Sequence, residues 1–188
     1  MKPPIELLTL GHGAATSEEL ASLIVAAGIE AIVDVRKMPG SRRHPQFGRA
    51  ALEEWVPALS RAAYRWEPWL GGFRKPSPAS ENIALRNPSF RAYADYMESA
   101  EFSEVLRQLL EQAAQARTAV MCSESLWWRC HRRLIADAAT LIGGAAVNHL
   151  GHDGKLHRHI LTEGVRQLAD GKLRYDDLPL LGSAMPAQ

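Results

Sequence analysis

Residues 5–35 read IELLTLGHGAATSEELASLIVAAGIEAIVDV and contain two apolar runs separated by a helical pattern. The first run predicts a buried strand, and Thr16 with Glu19 forms a capping box that predicts the start of a helix. Gly28 is placed to end that helix, and the second run predicts another buried strand. A strand, a helix and a second strand in this order are typical of a parallel βαβ unit.

The same alternation continues along the rest of the chain. Further strands are predicted at 64–69, 118–121 and 145–148, and further helices at 52–59, from 88 to 97, from 102 to 110 and at 132–142. Pro57 predicts a kink or a later start in the first of these helices. We therefore predict an α/β fold in a single domain over residues 1–188, with a mostly parallel sheet and helices on both faces.

Two segments are expected to pack less regularly than this domain. Residues 71–89 are rich in Pro, Ser and Asn, and a polar connection of this length predicts a lid or a flexible loop. The end of the chain is predicted to be a loosely packed tail.

Composition excludes several classes of protein. The chain has 188 residues, of which 46% are hydrophobic and 23% are charged, as in globular proteins. Its net charge of +1 gives no overall field that would hold a polyanion, so local clusters must recognise anions. It has only two cysteines, no apolar run long enough to span a membrane and no signal-peptide pattern, which predicts a cytoplasmic protein without a membrane partner. The oligomeric state is left open.

Polar residues follow the predicted strands at the point where each ends. They are His12, Asp34 and Arg36, Cys122 and Glu124, and His149. Because open parallel sheets bind ligands beyond the carboxyl ends of their strands, we predict that these residues share a pocket. The alternative is that each merely satisfies the backbone of an exposed loop.

Two basic segments predict that this pocket binds an anion. Residues 36–49, which include Arg36, Ser41 and Arg42, carry no acid. Arg129, Arg132 and Arg133 surround a predicted helix start, where backbone N–H groups also favour anions. A solvated basic loop is the alternative interpretation.

Cys122 lies at a strand end beside these cations, where a reactive thiolate is expected. His131 and Glu124 are candidates to move protons. A packing role is the alternative for Cys122, and it is favoured more strongly for Cys130. A metal site combining the cysteines with one of the later histidines does not have the usual ligand spacing, so neither a metal nor another cofactor is predicted. Those histidines are His149, His152, His157 and His159.

Several ordered motifs together resemble the domain of unknown function 488 family. They are Thr9-Leu10-Gly11-His12, Asp34-Val35-Arg36, Leu70-Gly71-Gly72-Phe73-Arg74, Cys122-Ser123-Glu124 and Cys130-His131-Arg132, with a C-terminal pattern from His149 to Tyr175. Gly13 stands where many relatives have Ser. The resemblance implies an α/β domain of bacterial or archaeal type, and it implies no particular reaction.

Two functions are compatible with this sequence. The first is an enzyme that acts on a small anionic substrate, phosphate-bearing or nucleotide-like. Its candidate catalytic residues are His12, Cys122, Glu124 and His131, and its candidate ligand-binding residues are Gly11, Asp34, Arg36, Ser41, Arg42, Gly71, Gly72, Arg74, Arg132 and His149. The second is a non-catalytic module for nucleic acid or a phosphorylated ligand, in which the same arginines contact phosphates and Trp69, Trp127 or Trp128 stacks on bases.

Overall fold

The computed structural model describes residues 5–40 and 42–176, and a six-stranded sheet lies at its centre. In chain order its strands are β1 (Glu6–Gly11), β2 (Ala31–Asp34), β3 (Ala63–Trp66), β4 (Thr118–Cys122), β5 (Ala146–Leu150) and β6 (Leu156–Arg158). Their order across the sheet is β3-β2-β4-β1-β5-β6. The first five strands are parallel, and β6 pairs antiparallel with β5.

Five helices cover this sheet in the described residues. They are α1 (Ser17–Ala26), α2 (Arg49–Ser60), α3 (Pro88–Met97), α4 (Ala100–Ala113) and α5 (Arg132–Leu141). Leu8, Ile32 and Ala119 of the sheet pack with apolar residues of α1 and α2. Leu7 and Val120 belong to a second cluster that contains the buried faces of α3, α4 and α5. The predicted single α/β domain with helices on both faces is therefore confirmed.

Several local predictions are confirmed as well. Both halves of the capping box form, since the Glu19 N–H donates to Thr16 Oγ1 and the Thr16 N–H donates to the Glu19 carboxylate. Gly28 follows α1 with φ +63°, a conformation that glycine adopts without a steric penalty. Asn87 caps α3, and its side chain accepts the N–H of Ser89.

Other boundaries differ from the predictions. Helix α2 begins at Arg49 and contains Pro57, so the predicted later start is wrong. Strand β3 ends at Trp66 rather than 69, because Pro68 cannot donate a sheet hydrogen bond and begins a short 3-10 helix.

The prediction that the fifth strand is the last is also wrong. Strand β6 follows a tight turn, and β7 (Val165–Gln167) pairs with β8 (Leu173–Tyr175) in a second small sheet. These strands have three residues each, and the residues of β6 are all exposed. Strands of three residues have too few positions for the alternation that identifies a strand in a sequence, although Leu173 and Tyr175 of β8 are buried.

The connections from β1 and β4 run in opposite directions across the sheet. From β1 the chain leads through α1 to β2 on one side, whereas from β4 it leads through α5 to β5 on the other. Helices α1 and α5 lie on opposite faces, and the His12 and Gly13 N–H groups join the two loops by donating to Cys122 O and Ser123 O. Such a switch point is where open α/β sheets bind their ligands.

No helix in the described part of the chain is long and apolar enough to cross a membrane.

Candidate functional site

The carboxyl ends of β1, β2 and β4 hold the first group of predicted site residues. The backbone N–H of His12 donates to Cys122 O at 3.0 Å, and that of Val35 donates to Met121 O at 2.9 Å. These hydrogen bonds continue the parallel pairing past the ends of the strands. His12, Arg36 and Cys122 therefore lie side by side. Consistent with this proximity, the charge of Cys122 contributes to the pKa of Arg36.

Asp34 and Arg36 form a buried ion pair. The Arg36 Nε and Nη2 groups donate to the two carboxylate oxygens of Asp34 at 2.8 and 2.6 Å. The Tyr64 hydroxyl donates to the same carboxylate at 2.8 Å. Although burial opposes it, the hydrogen bonds and charge of Asp34 raise the pKa of Arg36. The pair fixes the guanidinium in one orientation, but it also neutralises much of the Arg36 charge.

His12 is held neutral beside this pair. Burial first, and then the positive charge of Arg36, lower the pKa of His12 to about 4. Arg36 Nη1 lies 3.2 Å from His12 Nε2, and Nδ1 lies 3.0 Å from Gly13 O. Since the guanidinium can only donate, Nε2 accepts and the ring proton is on Nδ1. Phe47 stacks on the ring with centroids 4.0 Å apart. His12 therefore positions Arg36 in this state.

Cys122, Cys130 and His131 form what we call the thiol–imidazole cluster. One potential ligand atom from each residue lies within 4.8 Å of the others. Both thiols are buried and free of disulfides, and Cys130 Sγ is 3.7 Å from His131 Nδ1. The sequence interpretation favoured packing for Cys130. Seven residues separate the two cysteines, and the loop after β4 brings them together by returning the chain to the start of α5.

The Cys122 and Cys130 thiols differ in acidity because each affects the pKa of the other. The hydrogen bond from Cys122 lowers the pKa of Cys130, and the Arg132 guanidinium lowers it further against the effect of burial. The same hydrogen bond, together with burial, raises the pKa of Cys122. Cys130 is therefore the more acidic thiol, whereas the sequence singled out Cys122.

The predicted glycines lie against this cluster. A Cβ atom on Gly72 would be 3.3 Å from His131 Nδ1, and one on Gly71 would be 2.9 Å from the backbone nitrogen of Lys37. Arg74 lies further out. Its Nη2 donates to Trp69 O at 2.7 Å, and its guanidinium lies over the Tyr96 ring at 3.4 Å from the centroid. Arg74 thus anchors the segment that follows the glycines.

That segment, the predicted lid, contains no helix or strand between residues 71 and 87. Its side chains nevertheless hold it to the domain. Ser80 and Asn82 donate to Asp95 of α3 at 2.5 and 2.8 Å, and the Ala84 N–H donates to Tyr175 O of β8 at 2.8 Å. Motion as a lid stays a prediction.

Arg132 connects the cluster to a cleft of about 730 Å³ between the loop after β4 and the β5–β6 hairpin. Arg132 is only 1% exposed. Its Nε donates to Cys130 Sγ at 3.4 Å, and its Nη2 donates to the carbonyl of Glu124. Within the described residues no carboxylate pairs with it. Arg132 and His149, both predicted ligand-binding residues, line the cleft.

Two predicted site residues are not part of this arrangement. The Glu124 carboxylate accepts the N–H of Leu126 at 3.1 Å, so in this structure it caps its own loop. Arg42 is exposed. Ser41 lies outside the described residues. Gly11, in contrast, is closely packed, since a Cβ atom there would be 1.9 Å from Glu124 O.

Sequence reasoning missed a buried hydrogen-bond chain beside the cleft. His149 lies between Thr9 Oγ1, at 2.7 Å from Nδ1, and His159 Nδ1, at 3.0 Å from Nε2. His159 Nε2 in turn lies 3.0 Å from Asp137, which also accepts the Tyr175 hydroxyl at 3.0 Å. The available signal was Asp137 itself, a carboxylate within the apolar stripe of α5.

The buried His149 predicts a loss of stability in acid. Burial, together with the charges of His159 and Arg132, lowers the pKa of His149 from 6.5 to about 3. The unfolded chain binds this proton at higher pH than the folded chain does. The free energy of unfolding should therefore fall as the pH drops below about 6.5, by up to about 1.4 kcal/mol per pH unit. Urea unfolding over this range should show a shallower dependence for His149→Gln, and an unchanged slope would contradict the assignment.

Comparison with known proteins gives one match. The family model described as Domain of unknown function DUF488 matches residues 16–139, which include the Asp34-Val35-Arg36, Cys122-Ser123-Glu124 and Cys130-His131-Arg132 motifs. No curated protein and no solved structure matches. The matched segment covers well over half of the chain and confirms the resemblance inferred from the motifs. The chain belongs to the DUF488 family.

Proposed function

We propose that this protein is an enzyme that acts on a small anionic substrate, phosphate-bearing or nucleotide-like, bound in the cleft beside Arg132. The observation that carries the proposal is the burial of Arg132 without a carboxylate partner in the described residues. A buried cation is costly unless an anion compensates it. An anionic ligand in the cleft would supply this compensation.

A second arginine lines the cleft. Arg158 lies there together with Arg132, and the imidazoles of His152 and His157 also line it. Asp153 is the one acid among its lining residues in the described chain, and Lys155 binds that carboxylate at 3.6 Å. Apolar side chains, including the half-exposed Trp128, form much of the remaining surface. This combination suits a ligand with an anionic group and an apolar or planar part.

The proposed reaction takes place where the cleft meets the thiol–imidazole cluster. His131 is partly exposed, and its imidazole is the candidate for proton transfer. Asp34 and His12 hold the Arg36 guanidinium in one orientation next to this cluster. Arg132 touches both the Cys130 sulfur and the cleft, so it would hold the anion beside the reacting groups.

Arg132→Met should weaken the binding of phosphate or a nucleoside monophosphate by about 10- to 150-fold, the equivalent of ~1.5–3 kcal/mol for a hydrogen bond to a charged group. Methionine fills a similar volume without the charge. Isothermal titration calorimetry at low salt measures the change. Arg129→Met is the matched control, because Arg129 is a neighbouring exposed arginine that does not line the cleft.

Equal affinities for the two variants would contradict the assignment of Arg132. Circular dichroism of both variants would show whether the fold is retained. Turnover is tested separately with phosphoesters, nucleotides and thiol-transfer substrates, using Arg132→Met as the inactive reference.

A non-catalytic phospho-ligand module is the second candidate. The observation that favours it is the exposed ring of Trp128 at the mouth of the cleft, which is available for stacking. Trp127 is less available because it already stacks on His149, with centroids 4.0 Å apart and an interplanar angle of 7°. Oligonucleotide binding with a steep salt dependence, in the absence of any turnover, would favour this function over the enzyme.

A further inference from the structure

We propose that Cys122, Cys130 and His131 bind a thiophilic divalent cation, Zn²⁺, through two sulfurs and one imidazole nitrogen. The proposal deepens the proposed function, on which it rests for the location of the chemistry, by naming the group that the thiol–imidazole cluster would hold. It differs from the sequence-based prediction, which considered the cysteines only with more distant histidines and predicted no metal.

The distances within the cluster suit a zinc ion. Bonds of about 2.3 Å to sulfur and 2.0–2.1 Å to nitrogen place neighbouring tetrahedral ligands roughly 3.5–3.8 Å apart. The Cys130 sulfur and the His131 nitrogen already have this spacing, at 3.7 Å. All three ligand atoms lie within 4.8 Å of one another, so a contraction of about 1 Å, within reach of side-chain rotation, completes the set.

Secondary structure holds these ligands in place. Cys122 is the last residue of the central strand β4, and Cys130 and His131 immediately precede α5. Ligands on rigid elements are held more precisely than ligands on long loops. Apart from the contact of Nδ1 with Cys130 Sγ, the His131 imidazole makes no hydrogen bond in the described part of the protein, and its Nε2 atom is buried without a partner.

Burial favours an ion over a bulky reactant at the sulfurs. Cys122 is 7% exposed and Cys130 is 4% exposed. The described residues that line the large cleft include neither cysteine nor His131, and only Arg132 borders both places. A substrate atom would have to reach a buried sulfur to be attacked, whereas an ion can be enclosed by the three groups.

The charges are also compatible with a dication. Two thiolates neutralise Zn²⁺, and the adjacent Arg36 is already paired with Asp34. The Arg132 Nε–H donates to Cys130 Sγ, the kind of outer hydrogen bond that orients metal-bound ligands. Three protein ligands leave the fourth tetrahedral position for water or substrate, as in catalytic zinc sites. A zinc ion there would lower the pKa of a bound water to about 7.

The test is a titration of the reduced, chelator-treated full chain with Zn²⁺ alone, in competition with a chromogenic chelator. We expect one Zn²⁺ ion to bind tightly per chain. Cys122→Ser and Cys130→Ser should each lower the zinc affinity by at least about 100-fold, because loss of a direct ligand should exceed the largest effect of changes around the ligands. His157→Gln is the control, because His157 is exposed and lies outside the cluster. Its affinity should match that of the wild type.

A second measurement does not depend on the variants folding. Mass spectrometry of iodoacetamide-treated wild-type protein should show that Zn²⁺ slows alkylation of both cysteines, and Co²⁺ should produce a sulfur-to-metal charge-transfer band. Absence of stoichiometric binding, affinity unchanged in the serine variants, or affinity lost in His157→Gln would overturn the proposal. Zinc binding without turnover would contradict the enzyme but not the metal site. If the protein binds no zinc but turns over substrate in the presence of a chelator, the metal site is wrong and the enzyme proposal stands.

Discussion

Replacing Asp34 with alanine is expected to lower the free energy of unfolding by about 3–5 kcal/mol, because it leaves a buried arginine without its partner. The Asp34 carboxylate is fully buried and accepts the backbone N–H and two side-chain N–H groups of Arg36 as well as the Tyr64 hydroxyl. Because Arg36 is only 8% exposed, bulk water cannot fully replace the carboxylate as the acceptor of its N–H groups. Urea unfolding followed by circular dichroism measures the loss.

Glu53→Ala is the control for this prediction. Glu53 also binds an arginine, Arg49, at 2.7 Å, but both side chains are about half exposed. Removing an exposed pair should change the free energy of unfolding by only about 0–1 kcal/mol. If Asp34→Ala and Glu53→Ala have similar effects, the Asp34–Arg36 pair does not have the structural importance that its burial implies.

Gly11→Ala is expected to destabilise the protein by about 3 kcal/mol or more, at or above the upper end of the range for overpacked sites. The added Cβ atom would lie 1.9 Å from the backbone oxygen of Glu124 and 2.8 Å from Arg132 Nη2. Because the first of these atoms belongs to the backbone, the loop after β4 must move. Arg132 would lose its carbonyl acceptor, so we also expect weaker anion binding in calorimetry.

Gly40→Ala provides the comparison, because a Cβ atom on Gly40 would meet nothing within 4 Å. This variant should unfold at nearly the same urea concentration as the wild type. A Gly11→Ala protein with wild-type stability and wild-type anion affinity would show that the loop after β4 adapts freely, which would argue against a preformed site.

The sequence was sufficient to predict the architecture because the central strands are buried on both faces. Continuous apolar runs such as 31–35 alternate with helical stripes whose caps are local, as at Thr16 and Asn87. Parallel pairing then brings the strand ends to one edge, and for this reason His12, Arg36 and Cys122 lie close together. Their roles as site residues remain predictions.

Long-range pairing explains what the sequence did not reveal. The chain from His149 through His159 to Asp137 joins β5, the segment after β6 and α5, and no local pattern specifies that partnership. The relationship of Cys130 to Cys122 depends on the path of an irregular loop. The sequence placed Glu124 after a strand and Arg74 after two glycines, as the structure does. In the structure, however, the Glu124 carboxylate accepts the N–H of Leu126 and Arg74 donates to Trp69 O, so backbone groups already engage both side chains.

The position of β4 between β1 and β2 also has a consequence for the order in which the protein folds. The N-terminal βαβ segment does not contain a paired sheet, because β1 and β2 are separated by a strand that begins only at Thr118. On the ribosome, β1 therefore emerges long before either of its neighbours, β4 and β5. Contacts between such distant parts of a chain form slowly and leave strand edges unprotected meanwhile. Both edges of β1 are thus among the last surfaces to be sheltered during synthesis.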